Sequence, residues 1–151
     1  MATAGLQVDA RAGKFLTFAL GKEEYGFEIL KVREIMGVID ITQVPSMPSY
    51  VLGVINLRGN VVPVVDLRKR FAMPAVERTA ESCIIVVSVR EKLMGIYVDR
   101  VSEVINILGE DIEDAPSLGG DSGNNYILGM AKFKGTVKIL LNIDAVMQDV
   151  P

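Results

Sequence analysis

The chain has 151 residues, half of them apolar and 23% charged, with a formal net charge of −3. That length suits one ordinary domain or two very small ones, and so apolar a composition excludes a disordered chain. The acidic balance excludes a dedicated nucleic-acid binder, and the lack of histidine beside a single cysteine, Cys83, excludes an internal disulfide and the usual zinc sites.

Residues 1–13, MATAGLQVDARAG, mix small and polar residues without periodicity and are expected to form a flexible tail. No basic-then-apolar leader is present, and the longest apolar runs fall short of the roughly 20 residues that span a bilayer. A cytoplasmic protein with no direct membrane insertion is expected. The folded unit begins near Lys14. Apolar segments at 15–20, 25–29, 51–57, 61–66, 83–89, 94–98, 127–133 and 137–143, punctuated by Gly, Asn, Asp and Pro, predict the short strands of an all-β barrel or sandwich with short helices.

Between the strands, EILKVREI carries Ile29, Val32 and Ile35 or Met36 at helical spacing, which predicts an amphipathic turn with those residues inside and Glu34 outside. Asp66 and Asp144 each follow a strand and open a short helix, where an aspartate caps; Asp99 closes a strand before RVSEV, a second such turn. Arg68-Lys69-Arg70 reads as a solvated helix start. Cys83 opens an apolar run and is expected to be a core thiol. GEDIEDAPSLGGDSGNNY, 109–126, is a Gly-rich acidic loop with room for one helical turn.

The sequence also repeats itself. FLTFALGKEEYGFEILKVREI (15–35) aligns with IIVVSVREKLMGIYVDRVSEV (84–104), matching Gly26 to Gly95, Val32 to Val101 and Glu34 to Glu103. YVLGVINLRGNVVPVVDL (50–67) aligns without gaps with YILGMAKFKGTVKILLNI (126–143), matching Tyr50 to Tyr126, Gly53 to Gly129 and Gly59 to Gly135. Two copies of strand, strand, turn, connection, hairpin and short helix imply two similar barrels, about 14–75 and 81–148, with a seam between them where a partner could bind. Whether strands exchange between the barrels stays open.

Each hairpin turn joins a cation to glycine: Leu57-Arg58-Gly59-Asn60 and Phe133-Lys134-Gly135-Thr136. Gly59 and Gly135 serve the turn, because tight hairpins need positive φ. Arg58 is either a solvated turn cation or an oriented contact, and its planar fork beside Asn56, against Lys134 beside Lys132, suits the second. Glu34, on residues alone, is a surface carboxylate.

LTFALGKEEYGFEILKVREI, then ITQVPSMPSYVLGVINLRGNVVPVVDLRKRF, then MGIYVDRVSEVI and YILGMAKFKGTVKILLNID, in that order over roughly residues 14–148, resemble the CheW family of chemotaxis coupling proteins. The resemblance implies two five-stranded SH3-like barrels packed side by side. It further implies a non-enzymatic adaptor, without cofactor, catalytic residue or metal, that joins the histidine kinase CheA to the cytoplasmic tip of chemoreceptors in membrane-associated arrays. CheA's regulatory domain is similar to this family and is expected to alternate with it in rings; the isolated chain is expected to be a monomer. Matching positions imply receptor binding at Glu34 and Arg58, with Val32, Gly53 and Asn56. By the repeat, Val101 and Val104 either line the opposite wall of the groove or are core residues of the second barrel.

Three rivals were weighed against this reading. A CheA or CheV fragment would share the barrels, but the sequence carries no kinase segment or receiver domain. A barrel enzyme using Asp66, Asp99 and Asp144 would lack a histidine, a cysteine pair or a phosphate-binding loop. A self-associating structural protein is the third.

Overall fold

The computed structural model describes residues 10–114, 126–148 and 150. Its strands are β1 (Gly13–Leu20), β2 (Glu23–Glu28), β3 (Val32–Gly37), β4 (Val51–Leu57), β5 (Asn60–Asp66), β6 (Cys83–Val89), β7 (Lys92–Val98), β8 (Arg100–Ile107), β9 (Ile112–Glu113), β10 (Ile127–Phe133) and β11 (Thr136–Leu141). Helices α1 (Leu67–Arg70) and α2 (Ile143–Val146) follow β5 and β11, and single 3₁₀ turns occupy Ile29–Lys31 and Gly109–Asp111. The all-β class expected from the short apolar segments is the class observed.

The strands form two sheets, ordered β3-β6-β7-β5-β4 and β8-β1-β2-β11-β10-β9. In the first, side chains from all five strands meet in one apolar cluster around Ile55, Leu57, Val62, Val64, Ile84 and Val86, so the sheet wraps on itself. In the second, Phe15, Ile105, Ile107, Ile112, Ala131 and Leu140, from every strand except β2, form the corresponding cluster. A third and larger cluster lies between the barrels and includes Leu16, Phe18, Phe27, Val65, Ile85, Val87, Ile96 and Leu141. Many strands are therefore buried on both faces. That is why CIIVVSV is an unbroken apolar run: Ile84 and Val86 fill the first barrel, while Cys83, Ile85, Val87 and Val89 fill the seam. Burial pushes the Cys83 thiol up, as suits a core thiol.

The strand pairing repeats with the sequence. β6 runs antiparallel to β3 and β7 parallel to β5; in the second barrel β1 runs antiparallel to β8 and β2 parallel to β11. The first hairpin of each repeat thus completes the barrel of the other. Residues 32–98 build the first barrel, and residues 13–28 with 100–141 build the second, so the changeovers fall near residues 28 and 98 and not between 75 and 81. Arg70 and Val146 occupy equivalent places in the two repeats, and they meet: Arg70 Nε donates to the Val146 carbonyl at 2.9 Å. Equivalent residues can touch only near an axis relating the copies, so the pseudo-dyad passes between α1 and α2.

Several expectations need correction. EILKVREI is one 3₁₀ turn followed by strand β3, with Val32, Glu34 and Met36 half-buried and Arg33, Ile35 and Gly37 outward. Of the alternatives that helical spacing offered for the inside, Met36 packs against the first barrel's core and Ile35 is 46% exposed. Val32 and Met36, four apart, fit either period, whereas Val32 and Ile35, three apart, share a face only in a helix, and pairing with β6 decided for alternation. RVSEV likewise lies within β8. Arg11 donates to Asp114 at 2.9 Å, and β1 starts at Gly13, so the end of the presumed tail belongs to the fold; residues 1–9 lie outside the described residues, as do 115–125 of the Gly-rich loop. Asp66 caps α1 by accepting from the Arg68 and Lys69 amides, but the cap of α2 is Asn142 and not Asp144.

Arg68 and Asp99 are not a solvated cation and a cap. Arg68 is buried, and its Nε and Nη2 donate to the two oxygens of Asp99 at 2.9 and 2.6 Å, while Nη1 donates to the Pro74 carbonyl at 2.9 Å. Asp99 also accepts from the Gly21 amide at 2.7 Å, and Arg68 beside it holds its carboxyl below the usual carboxylate range. This cluster ties α1, the β1–β2 turn and the β7–β8 junction together. Arg70, the third member of the basic run, lies over the rings of Tyr50 and Tyr126, the equivalent tyrosines of the two repeats, at 4.3 and 5.1 Å.

Candidate functional site

The β4–β5 turn is the two-residue hairpin Leu57–Asn60, in which Arg58 has φ 51° and Gly59 φ 88°. Both central residues are left-handed, the type I′ geometry that follows the twist of the flanking strands. Glycine takes that geometry freely; for arginine it is a strained conformation that the turn must hold. The Asn56 carboxamide oxygen helps by accepting from the Gly59 amide at 2.8 Å, so Asn56 builds the turn that aims Arg58. Lys134 and Gly135 repeat the geometry at φ 51° and 82°, with Lys132 in the place of Asn56.

Glu34 reaches Arg58 from β3. The β3–β6 register slips between Val32 and Glu34, leaving Arg33 as an extra residue and turning Glu34 toward the hairpin tip. Arg58 Nη1 and Nη2 donate to the two carboxylate oxygens at 3.3 and 2.5 Å. Each charge favours the other: Arg58 holds the Glu34 carboxyl below its usual range, and Glu34 raises the guanidinium. The arginine remains 69% exposed at its side chain and uses only two of its five N–H donors. What results is a nearly neutral pair, fixed at both ends, that still displays donors to an incoming surface.

The other predicted residues divide. Val32 stands on the same strand as Glu34 and packs against the seam cluster. Gly53 is buried, with φ 148°, where a Cβ would lie 2.2 Å from the Thr42 carbonyl oxygen. Thr42 crosses there to exchange backbone hydrogen bonds of 2.8 Å with Val54, so Gly53 makes room for a crossing chain. Gly129, its equivalent, sits under β9 in the same way, with Glu113 O at 3.0 Å from a built Cβ. Val101 and Val104 lie on β8 in the other sheet; Val101 packs against the seam cluster, while Val104 is 51% exposed. Asp66, Asp99 and Asp144 do not converge: one caps α1, one holds Arg68 and one accepts from Lys31 at 3.4 Å.

Periodicity gave no sign of a second surface. The exposed large hydrophobics include Ile35, Ile39 and Val61 on the first repeat and, at the equivalent places of the second, Val104, Leu108 and Val137. Each repeat displays the same apolar set. Aligning the two copies and asking which shared apolar positions flank a turn would have located it.

Fold and site together define a duplicated small-barrel scaffold that presents an ordered charged fork and paired apolar surfaces. The family model described as the CheW-like domain matches residues 14–150. Relatives named chemotaxis protein CheW from Klebsiella aerogenes and from Rhizobium meliloti are each 37% identical, over 89% and 88% of this chain and 81% and 86% of theirs. The crystal structure of the scaffolding protein TtCheW from Thermoanaerobacter tengcongensis matches with a TM-score of 0.83 and 33% identity, covering 92% of this chain and 94% of that one. The chain belongs to the CheW-like family, and it is a chemotaxis scaffold built of two SH3-like barrels. Among the described residues no helix is long and apolar enough to cross a membrane.

Proposed function

We propose that this protein is a non-enzymatic coupling adaptor that joins the cytoplasmic tip of chemoreceptors to the regulatory domain of the histidine kinase CheA, and that it is recruited from the cytoplasm to membrane-associated arrays. Family membership supports the partners, and the exposed Glu34–Arg58 fork is the observation that carries the receptor assignment. A receptor helix would bury apolar residues near the seam, while Arg58 sets its register through the donors that Glu34 leaves unused. Val32 would support Glu34 from beneath. Gly53 and Asn56 would act by positioning, one through the crossing chain and one through the turn.

The paired apolar sets support a second element. A bivalent ring component needs two equivalent adhesive ends, and Ile35 with Val104, Ile39 with Leu108 and Val61 with Val137 supply equivalent surfaces on the two copies. Docking of the kinase regulatory domain to them accounts for hydrophobics left in water.

The test is co-sedimentation of the full chain with a receptor tip fragment and, separately, with a CheA regulatory domain. Wild type is expected to bind both, and Arg58→Ala to lose the receptor while keeping the kinase domain and its melting temperature. Binding of wild type to neither partner would overturn the adaptor reading. Equal receptor binding by Arg58→Ala would remove the fork from the site.

A further inference from the structure

The parallel strands β5 and β7 pair only at Val64–Gly95, Val65–Ile96 and Asp66–Tyr97. Before that point they part, and a groove of about 410 Å³ opens between Asn60–Pro63 and Lys92–Met94. The second barrel does not part there. Its parallel strands pair at Lys138–Glu24, Ile139–Tyr25 and Leu140–Gly26, and the first two are the equivalents of Val62–Leu93 and Pro63–Met94.

The reason is one residue. Val54 spends its backbone groups on Thr42, so in the β4–β5 ladder it forms a non-hydrogen-bonded pair with Pro63, and Pro63 faces β7. The Val89–Lys92 hairpin closes β6 on β7, which by alternation turns the Leu93 amide and carbonyl toward β5. Continuing the parallel ladder would require residue 63 to donate its N–H to the Leu93 carbonyl. Proline has none. Ile139, its equivalent, has one, and the ladder there runs on. Side chains follow the backbone: in the second barrel Lys138 donates to Glu24 at 2.7 Å across the strands, and in the first Val62 and Leu93 stand in those places and leave the crossing apolar.

The groove thus displays Val61, 72% exposed, with half-buried Pro63 and Leu93, beside strand edges turned inward at Val61 and Leu93, while the Val62 and Met94 side chains are buried in the cores. At its lip is the exposed Lys92, which pairs with no carboxylate among the described residues. We propose that this groove takes a short extended peptide segment of a partner protein, with an apolar side chain between the strands, backbone hydrogen bonds to the inward edges, and an acidic residue against Lys92. A helix cannot offer its backbone to strand edges, and a polar small molecule would leave Val61, Pro63 and Leu93 uncovered, so an extended segment with an apolar side chain for these and a carboxylate for Lys92 is the occupant that fits. This groove contains neither Glu34 nor Arg58, though it begins at Asn60 of the same hairpin and shares Val61 with the apolar set assigned above to the kinase regulatory domain.

Pro63→Ile tests it, because it installs the residue the second barrel already uses. The ladder should extend, the groove close and the fold persist. A displayed library of random linear peptides is selected on the full chain, and the recovered peptides are titrated into isotope-labelled protein. The expected result is extended acidic-apolar peptides that shift the amides of Val61, Lys92, Leu93 and Met94. They should bind Pro63→Ile at least roughly tenfold more weakly, while Asp144→Ala, on the other repeat, binds them unchanged. If no peptide is recovered, if the shifts fall elsewhere, or if Pro63→Ile binds equally, the proposal fails. It also fails if dilution shows that the groove amides shift through contact with a second copy of the chain. In a closed groove the Leu93 carbonyl is paired, so protection of the new residue 63 amide from exchange in the variant, to the level of the Ile139 amide of the second barrel, checks that closure occurred.

Discussion

The two barrels share a strand order, a hairpin geometry and a crossing chain, and they differ where the protein meets its surroundings. Arg58 and Lys134 occupy the same left-handed turn position, but Arg58 is held by Glu34 through both carboxylate oxygens while Lys134 lies 5.3 Å from the Phe133 ring of its own hairpin. The same contrast recurs inside the sheets, where Pro63 opens one parallel pair and Ile139 with the Lys138–Glu24 bridge closes the other. A duplicated fold separates what the backbone demands from what one copy acquired: the turn glycines and crossing chains found in both barrels serve folding, and the Glu34–Arg58 fork and the Pro63 opening, found in one, are candidates for recognition.

That comparison can be broken most severely at the crossing chains. Gly53→Ala should destabilise by roughly 4 kcal/mol, from overpacking against the Thr42 backbone and a strained φ, and Gly129→Ala by about 1–2 kcal/mol, because its closest neighbour is a side-chain methyl. Denaturant unfolding of both variants measures the gap, and equal losses would show that the two crossings are equally tight. Arg68→Ala should lose about 3 kcal/mol by leaving Asp99 partly buried without its partner, while Asp144→Ala at the equivalent place should change stability by less than about 0.5 kcal/mol.

Asp99 also sets a pH dependence. Its folded pKa is depressed, so its contribution is complete above the ordinary aspartate value near ~3.9 and is lost as pH falls through the lower folded value. Stability should therefore drop with acid below about pH 4, and thermal melts across that range should show a shallower drop in Arg68→Ala. Glu24, depressed chiefly by its hydrogen bond from Lys138, adds to the same acid limb in the second barrel.

Smaller effects belong to the turns. Asn56→Lys, which copies the second barrel, should cost about 1 kcal/mol by removing the bond to the Gly59 amide, and should weaken receptor binding because Arg58 is then less well held. Smallest in stability is Arg58→Lys. It should leave the melting temperature unchanged yet lose receptor binding, since an ammonium lacks the planar fork that pairs both Glu34 oxygens while directing three further N–H donors outward. Retained binding would mean that only a positive charge is needed there.

Much of this was legible in the chain. The repeats showed two barrels because matched glycines and strand spacing survive duplication, and the turn glycines were readable from local chemistry alone. The alternation of β3 was not: Ile29, Val32 and Ile35 fit a helical period over so short a stretch, and pairing with β6 overrode it. Arg68 read as solvated because its partner lies far along the chain, beyond any local pattern. Val104 and Ile35 pointed outward for the same reason, each set by the register of a strand joined from the other repeat.

The sequence by itself determined the duplication, the all-β class and the two hairpin turns, because these rest on matched residues at a fixed offset, local φ requirements and residue periods, and it carried the motif blocks that resemble the family. Only the tertiary structure decided that the first hairpin of each repeat completes the opposite barrel, that Glu34 and Arg58 pair, and that Pro63 ends a ladder Ile139 continues. Those outcomes depend on which distant strand supplies the next hydrogen bond, and no window of neighbouring residues contains that information.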